Sequence, residues 1–217
     1  MRIITISRQF GSGGRELGKR LADLLGWDYY DKEIISMLAE KEQLDPEYVR
    51  SIVNDHHWDT VPLTYRHSFA RHELVPDPHI KLMAGQRRII QQIAEAGNDC
   101  IIVGRNADII LRDYGPFRLS VCADIEDRLA RCMKHELKKG DDALSEKEVL
   151  RNIRRIDKDR RRLRESLTGK DPADSSVFDL TVNAGKWDIR QLALALAEFA
   201  LRWFAQKEQI PGCSSNE

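Results

Sequence analysis

The feature that most constrains this chain is a glycine-rich turn that joins a short apolar run to an amphipathic segment. The run Ile3–Ile6 is typical of a parallel strand buried on both faces. After the turn, leucines recur at helical spacing up to Gly26, which is placed to end the helix. Backbone N–H groups in such a turn converge at the positive end of the helix dipole, where they bind phosphate. The residues of the predicted phosphate-binding loop are Gly11, Ser12, Gly13, Gly14, Arg15 and Glu16.

This loop departs from both common phosphate-loop patterns. The dinucleotide fingerprint GxGxxG, counted from Gly11, requires a glycine where the chain has Glu16. The Walker A pattern GxxxxGK[ST] has no literal match either, since no Gly-Lys-Ser or Gly-Lys-Thr triplet occurs. A glycine-rich turn formed for packing alone therefore stays open as an alternative.

Aligning Gly13 with the second Walker glycine shows which side chains differ. Arg8 then stands on the first glycine, Gly14 on the lysine and Arg15 on the hydroxyl residue. A guanidinium at Arg15 can reach phosphate oxygens with more donors than an ammonium, so we expect it to take over the lysine's charge. The usual hydroxyl ligand of Mg²⁺ is lost. Nearby hydroxyls that could replace it through water belong to Ser7 and Ser12.

Short apolar runs alternate with helical patterns along the chain. Strands are predicted at 3–6, 27–31, 100–105, 118–123 and 178–183. Helices are predicted after the loop, at 32–43, from Asp45-Pro46 onward, at 79–96, after Asp124, at 145–167 and at 188–206, with an irregular segment at about 54–78. The alternation predicts an α/β fold in one domain, 1–217, with a five-stranded parallel sheet, helices on both faces and ligands at the carboxyl ends of the strands.

Composition excludes few partners. The 35 acidic and 35 basic side chains balance, so net charge does not favour a nucleic-acid partner.

No zinc site is predicted from the cysteines, because their spacing does not fit one, and they are expected to be reduced thiols: Cys100, Cys122, Cys132 and Cys213. The pair His56-His57 has no third metal ligand in reach. No signal peptide or membrane span is predicted, so the expected location is cytoplasmic.

The stretch from Ile4 to Asp31, ITISRQFGSGGRELGKRLADLLGWDYYD, resembles the start of cytidylate kinases. It resembles more closely the cytidylate kinase-like family, whose members carry SR-x-(F/Y)-GSGG-R-E in place of a standard Walker A. Residues 103–111, VGRNADIIL, match that family's VGR-x-A-D-x-x-L segment, and residues 178–183, FDLTVN, match its aromatic-DL-x-(V/I)-N strand. The resemblance implies a three-layer P-loop NTPase fold that uses ATP and Mg²⁺ and acts on small-molecule nucleotides.

Two further candidates lie at predicted strand ends. Arg105 follows a buried strand, and the resemblance implies that it contacts the acceptor nucleotide, although Asn106 replaces an aspartate of the cytidylate kinase pattern. The alternative is a simple ion pair with Asp108. Asp31 ends the second strand, and the resemblance places it at the monophosphate site. Its alternative role is the N-cap of the next helix.

The basic helix 145–167 supplies another candidate. Arg160 falls on an apolar stripe between Ile156 and Leu163, and a guanidinium that points inward needs an anionic partner. The resemblance identifies this region as a lid whose D-x-x-R pattern matches Asp157 and Arg160. Second choices are Arg161 and Arg128.

Together these features predict a kinase that transfers the γ-phosphoryl group of ATP to CMP or a related nucleoside monophosphate. Segment 32–95 would bind the acceptor, and 131–165 would form the lid. The predicted catalytic residues are Arg15, Arg105 and Arg160. Two alternatives remain: an inactive nucleotide-binding regulator, and a kinase of another small hydroxylated substrate.

Overall fold

The computed structural model describes residues 1–31, 78–136, 144–169 and 174–209. Within them, five strands form one parallel sheet in the order β2-β3-β1-β4-β5, as predicted. The strands are β1 (Ile3–Arg8), β2 (Asp28–Tyr30), β3 (Cys100–Val103), β4 (Phe117–Cys122) and β5 (Leu180–Asn183). Strand β1 is central, so the loop that follows it opens between the ends of β3 and β4.

Six α-helices occur in the described residues. They are α1 (Gly14–Leu25), α2 (Pro78–Glu95), α3 (Ala107–Ile110), α4 (Ile125–Glu136), α5 (Glu146–Thr168) and α6 (Ile189–Gln209). Gly26 ends α1 with a left-handed φ of 68°, as predicted. Ser145 and Glu148 form the predicted capping box of α5. The helices expected at 32–43 and after Pro46, the irregular segment at 54–78, His56-His57 and Cys213 lie outside the described residues.

The sheet packs against helices on both faces because its strands alternate their apolar side chains. Ile4 and Ile6 of β1 face a core formed with α1 and α6, whereas Ile3 faces a core formed with α2 and α3. Helix α1 approaches β3 closely at Gly18, where a Cβ atom would lie 2.7 Å from a Val103 methyl carbon. These three layers form a P-loop α/β fold.

The strand predicted at 178–183 begins two residues later than expected. Phe178 instead caps a 3-10 turn at Ser175–Val177. The carboxylate of Asp179 receives two hydrogen bonds from the Arg118 guanidinium of β4, at 2.8 and 3.1 Å. A turn and an ion pair therefore precede the ladder, which starts at Leu180.

The cysteines of the described segments are free thiols at positions 100, 122 and 132, as expected. Burial in the sheet raises the pKa of the Cys100 thiol to about 12, so this residue serves as core packing. Among the described residues, no helix is both long and apolar enough to cross a bilayer.

Candidate functional site

The predicted phosphate-binding loop connects β1 to α1. Gly11 and Gly13 adopt left-handed φ angles of 78° and 87°, which favour glycine. A Cβ atom at Gly11 would lie 2.9 Å from the Cys132 sulfur, so α4 also requires a glycine here. Ser12 is fully buried, and its hydroxyl donates to the Gln9 carbonyl over 3.0 Å. The Ser12 hydroxyl is thus engaged inside the loop.

The first turn of α1 presents backbone donors at the end of this loop. The first helical hydrogen bond runs from Leu17 N–H to the Gly13 carbonyl over 2.9 Å. The N–H groups of Gly14, Arg15 and Glu16 precede that bond and therefore have no acceptor within the helix. Together with the helix dipole, they supply the backbone donors that the predicted anion site requires.

Three arginines from α4 and α5 hold the loop by its carbonyl oxygens. Arg128 Nε donates to Phe10 O over 2.8 Å, Arg131 Nη1 to Gly11 O over 3.0 Å, and Arg160 Nη1 to Arg8 O over 3.0 Å. The donors lie on the helices, and the acceptors lie at the end of β1 and in the loop. The predicted lid helix and the loop are therefore joined directly.

Asp157 completes this connection. Its carboxylate accepts the Phe10 N–H over 2.7 Å and forms an ion pair with Arg128. The Arg128 side chain is 6% exposed and that of Asp157 is 12% exposed, so neither charge is well solvated. A buried charge needs such a partner, and this pair fixes the position of α5 against the loop.

A cluster of arginines surrounds the Asp31 carboxylate at the carboxyl ends of the strands. Arg15 Nε lies 2.5 Å from one carboxylate oxygen, and Arg8 Nη2 lies 3.5 Å from the other. Arg105 and Arg160 are near enough for Asp31 to act on the pKa of each. We call the four guanidinium groups of Arg8, Arg15, Arg105 and Arg160 the arginine cluster.

Charge in the arginine cluster is poorly compensated. Burial, reinforced by the neighbouring Arg8, lowers the pKa of Arg160 to about 9 and that of Arg105 to about 10. Asp157 and Asp31 oppose the shift at Arg160, and Asp31 opposes it at Arg105. Burial also lowers the pKa of Arg8. Positive charge that is costly in the free protein is stabilised when a polyanion binds.

The backbone that carries Arg105 is strained. Gly104, Arg105 and Asn106 have consecutive positive φ angles of 81°, 59° and 51°. An arginine rarely adopts this conformation, and such strain is concentrated at functional sites. The Arg105 carbonyl is held by Gln86 Nε2 of α2 over 2.9 Å. From this turn the Arg105 guanidinium comes near enough to Arg8 and Asp31 for both to act on its pKa.

The alternative pairing of Arg105 with Asp108 is wrong. Asp108 is instead paired with Arg164 over 2.6 Å and accepts the Ser7 hydroxyl over 3.4 Å. The N-cap alternative for Asp31 concerns a helix outside the described residues.

Other predicted residues lie away from the arginine cluster. The Glu16 side chain is exposed and pairs with Arg20 over 2.8 Å, so only its backbone N–H faces the anion site. Arg161 is exposed on α5. Its predicted lid role stays a prediction.

The described residues contain no group of three or more metal-ligating side chains that could hold an ion. Asp31, Asp108 and Asp157 each have an arginine partner. This donor set fits a Mg²⁺ ion that arrives on nucleotide phosphates and keeps its waters, rather than one bound by the protein alone.

Arg8 is the member of the arginine cluster that sequence reasoning missed. The same signal that singled out Arg105, a charge directly after a buried apolar run, is present at Arg8. Its alignment with a Walker glycine concealed that signal. Arg131 was missed as well, because the sequence does not show that α4 packs on the loop.

Comparison with known proteins identifies the family of the chain. The sequence matches the cytidylate kinase-like family over residues 3–186. A curated cytidylate kinase from Methanopyrus kandleri is 25% identical over 195 residues, which cover 85% of this chain and 86% of that protein.

Solved structures show the same fold. An uncharacterized protein from Eubacterium ventriosum is 22% identical with a TM-score of 0.66, over 92% of this chain and 98% of the other. A shikimate kinase from Bacteroides thetaiotaomicron is 12% identical with a TM-score of 0.54, over 91% and 97%. A shikimate kinase from Acinetobacter baumannii, solved with shikimate, is 12% identical with a TM-score of 0.51, over 93% and 94%.

The family match and the P-loop fold support a kinase that acts on a nucleotide or another small molecule. The match spans most of the chain, from β1 through β5. This chain belongs to the cytidylate kinase-like family.

Proposed function

We propose that this protein transfers the γ-phosphoryl group of ATP to CMP or a related nucleoside monophosphate. The observation that carries the proposal is the arginine cluster, where guanidinium groups from β1, α1, the β3 end and α5 surround one carboxylate beside a phosphate-binding loop. Phosphoryl transfer depends mainly on positioning and on neutralising charge that spreads over the phosphoryl oxygens. Converging arginines meet both requirements.

The donor phosphates would bind at the start of α1. The N–H groups of Gly14, Arg15 and Glu16 point to this position without helical acceptors. The Arg15 side chain is 59% exposed, so it is free to turn from Asp31 to a bound phosphate. Mg²⁺ would enter with ATP and neutralise phosphate charge. The Ser7 hydroxyl donates to Asp108 over 3.4 Å, and its oxygen lone pairs would contact the ion through water.

The acceptor would bind between the end of β2 and the turn after β3. Asp31 and Arg105 lie there. The Asp31 carboxylate is 3% exposed and pairs with Arg8 and Arg15, so in this proposal it orients the guanidinium groups around the acceptor. In this proposal Arg105 binds the acceptor phosphate and Arg160 the transferring group. Segments 32–95 and 131–165 provide the acceptor-binding and lid parts of a single domain.

The departures from Walker A favour a second candidate, a regulator that binds nucleotide without transfer. Gly14 stands where the pattern has lysine, and the Ser12 hydroxyl is engaged by Gln9. The third candidate function is a kinase whose acceptor is a small hydroxylated molecule that binds in the same crevice. The two shikimate kinases are similar to this chain in fold only.

An acceptor panel separates these candidates. Product formation from ATP would be followed by chromatography with CMP, dCMP, UMP, AMP, GMP and small hydroxylated acids as acceptors. We expect CMP or a close relative to be phosphorylated, and Arg105→Ala to raise the KM for that acceptor. Arg154→Ala, an exposed arginine of α5, is the matched control. ATP binding without transfer to any acceptor would instead support the regulator.

A further inference from the structure

The side chain of Arg8 occupies a narrow channel bounded by two glycines. A Cβ atom at Gly14 would lie 2.9 Å from Arg8 Cβ and 3.5 Å from its Cδ. A Cβ atom at Gly104 would lie 1.8 Å from Arg8 Nη1. Neither contact is possible without displacing the arginine. Gly14 therefore makes room for the stem of Arg8, and Gly104 makes room for its guanidinium.

The channel delivers the Arg8 guanidinium to the arginine cluster. Its Nη2 lies 3.5 Å from Asp31, and the side chain is 15% exposed. The charge of Arg8 also acts on Arg105 and Arg160, so these three groups share one crevice. By contrast, the Arg15 side chain is 59% exposed at the mouth. Arg8 is the more deeply placed cation.

Positions 8 and 14 are those of the first glycine and the lysine in GxxxxGK[ST]. In the Walker pattern the first position lacks a side chain and the seventh carries the cation. Here the first position carries the cation and the seventh lacks a side chain. A Cβ atom at Gly14 would lie only 2.9 Å from Arg8 Cβ, so the two positions lie side by side. There is room for only one long side chain.

We propose that Arg8 is the catalytic cation of this loop and that it replaces the Walker lysine by transposition of the charge from position 14 to position 8. Gly14 is then a requirement of the new arrangement and not a sign of lost activity. Arg15 remains a second, exposed contact to the donor phosphates. The catalytic part of this inference rests on the proposed phosphoryl transfer.

A double-mutant cycle tests the transposition. The variants are Arg8→Gly, Gly14→Lys and the double variant Arg8→Gly/Gly14→Lys, which restores the Walker glycine and lysine together. We expect each single change to lower kcat/KM for ATP by about 100-fold or more, because one removes the cation and the other introduces a clash beside a like charge. The double variant should exceed both single variants by about tenfold or more, which is strong positive coupling.

Thermal unfolding and ATP affinity supply readouts that do not depend on turnover. Gly14→Lys should lower the Tm, and Arg8→Gly should restore it in the double variant. ATP affinity by calorimetry should fall in Arg8→Gly and recover in the double variant. Gly14→Ala, made with and without Arg8→Gly, is the control that isolates the clash from the added charge.

The outcomes separate this inference from the proposed function. If the wild type binds ATP but phosphorylates no acceptor, the proposed function is wrong. The ATP affinities of the two single variants and the double variant still test whether Arg8 replaces the Walker lysine. If losses in the two single variants simply multiply in the double variant, the transposition is wrong. An Arg8→Gly variant with unchanged ATP affinity and turnover would also overturn it.

Discussion

Arg164 and Asp108 form a buried ion pair between α5 and α3, with 2.6 Å between Nη2 and Oδ2. Their side chains are 12% and 4% exposed. The Arg164 guanidinium also stacks 4.8 Å from the centre of the Phe178 ring. Asp108 reaches back to the Ser7 hydroxyl of β1. The pair therefore fastens the C-terminal half of the predicted lid helix to the strand that carries the loop.

Breaking this pair on one side should destabilise the protein. Asp108→Ala leaves the Arg164 charge buried without its carboxylate, and we expect the free energy of unfolding to fall by about 3–5 kcal/mol. Urea denaturation followed by far-UV circular dichroism measures the loss. The double variant Asp108→Leu/Arg164→Met should recover most of the stability, because it removes both charges. A loss below about 1 kcal/mol in Asp108→Ala would show that the pair is solvated.

Arg15→Ala should reduce turnover far more than it reduces stability. The side chain is 59% exposed, so little packing is lost, and the buried Asp31 carboxylate loses one partner but keeps Arg8. A charged contact to the donor phosphates disappears. We expect kcat to fall by about 100-fold, as for other single electrostatic donors. Lys19→Ala is the control, since its side chain is also 59% exposed on the same helix but pairs with Asp23. Unimpaired turnover in Arg15→Ala would contradict the role proposed for Arg15.

Arg105→Gly should separate activity from stability. Glycine adopts the observed φ of 59° without strain, and the change removes a buried charge, so we expect the Tm to stay level or rise. The same variant should lose acceptor binding, with kcat/KM for the acceptor lower by about 100-fold or more. Differential scanning calorimetry measures the Tm, and steady-state kinetics on the same preparation measures kcat/KM for the acceptor. A clear drop in Tm would show that Arg105 is a structural residue.

Activity should depend on alkaline pH through Arg160 and Arg105. The folded-state pKa values of about 9 and about 10 lie below the ordinary range of arginine, so kcat/KM for ATP should fall above about pH 9 as the free protein loses these charges. Bound phosphate stabilises the charged form and raises both pKa values. The kcat profile at saturating ATP should therefore begin to fall at higher pH than the kcat/KM profile. Coincident profiles would contradict this account.

The lowered pKa values of Arg160 and Arg105 also determine how the free energy of unfolding changes with pH. The Arg160 side chain is still 38% exposed, so the effect on stability comes mainly from Arg105. Below about pH 10 Arg105 is charged in the folded and the unfolded chain, and the cost of burying its charge is fully present. Above about pH 10 the unfolded chain binds more protons, so the contribution of Arg105 to the free energy of unfolding rises with pH. Urea midpoints of the wild type and of Arg105→Gly, compared at each pH, measure this contribution.

The fold was predictable because local signals agreed with one another. Apolar runs bounded by glycine gave β1 and β3, and the Ser145 and Glu148 pair located the start of α5. A strand buried on both faces and a capped helix are determined by nearby residues. The five-stranded parallel sheet followed from their alternation.

The candidate site was predictable only in part, because its geometry depends on contacts between distant segments. Asp31 and Arg105 stand at strand ends, and neighbouring parallel strands bring such ends together. The contact of Arg8 with Gly14 and Gly104 depends on how the loop folds back, which no local pattern encodes. The choice of Arg164 over Arg105 as the partner of Asp108 likewise depends on the packing of α5.

Direct observation of the transferred phosphorus atom tests the central claim. ³¹P nuclear magnetic resonance would follow ATP, Mg²⁺ and CMP with the wild-type protein and with Arg105→Ala. We expect the γ-phosphate signal of ATP to be replaced by the β-phosphate signals of ADP and CDP, and Arg105→Ala to slow this conversion. A spectrum in which ATP persists, or in which only inorganic phosphate appears with CMP unchanged, would contradict it.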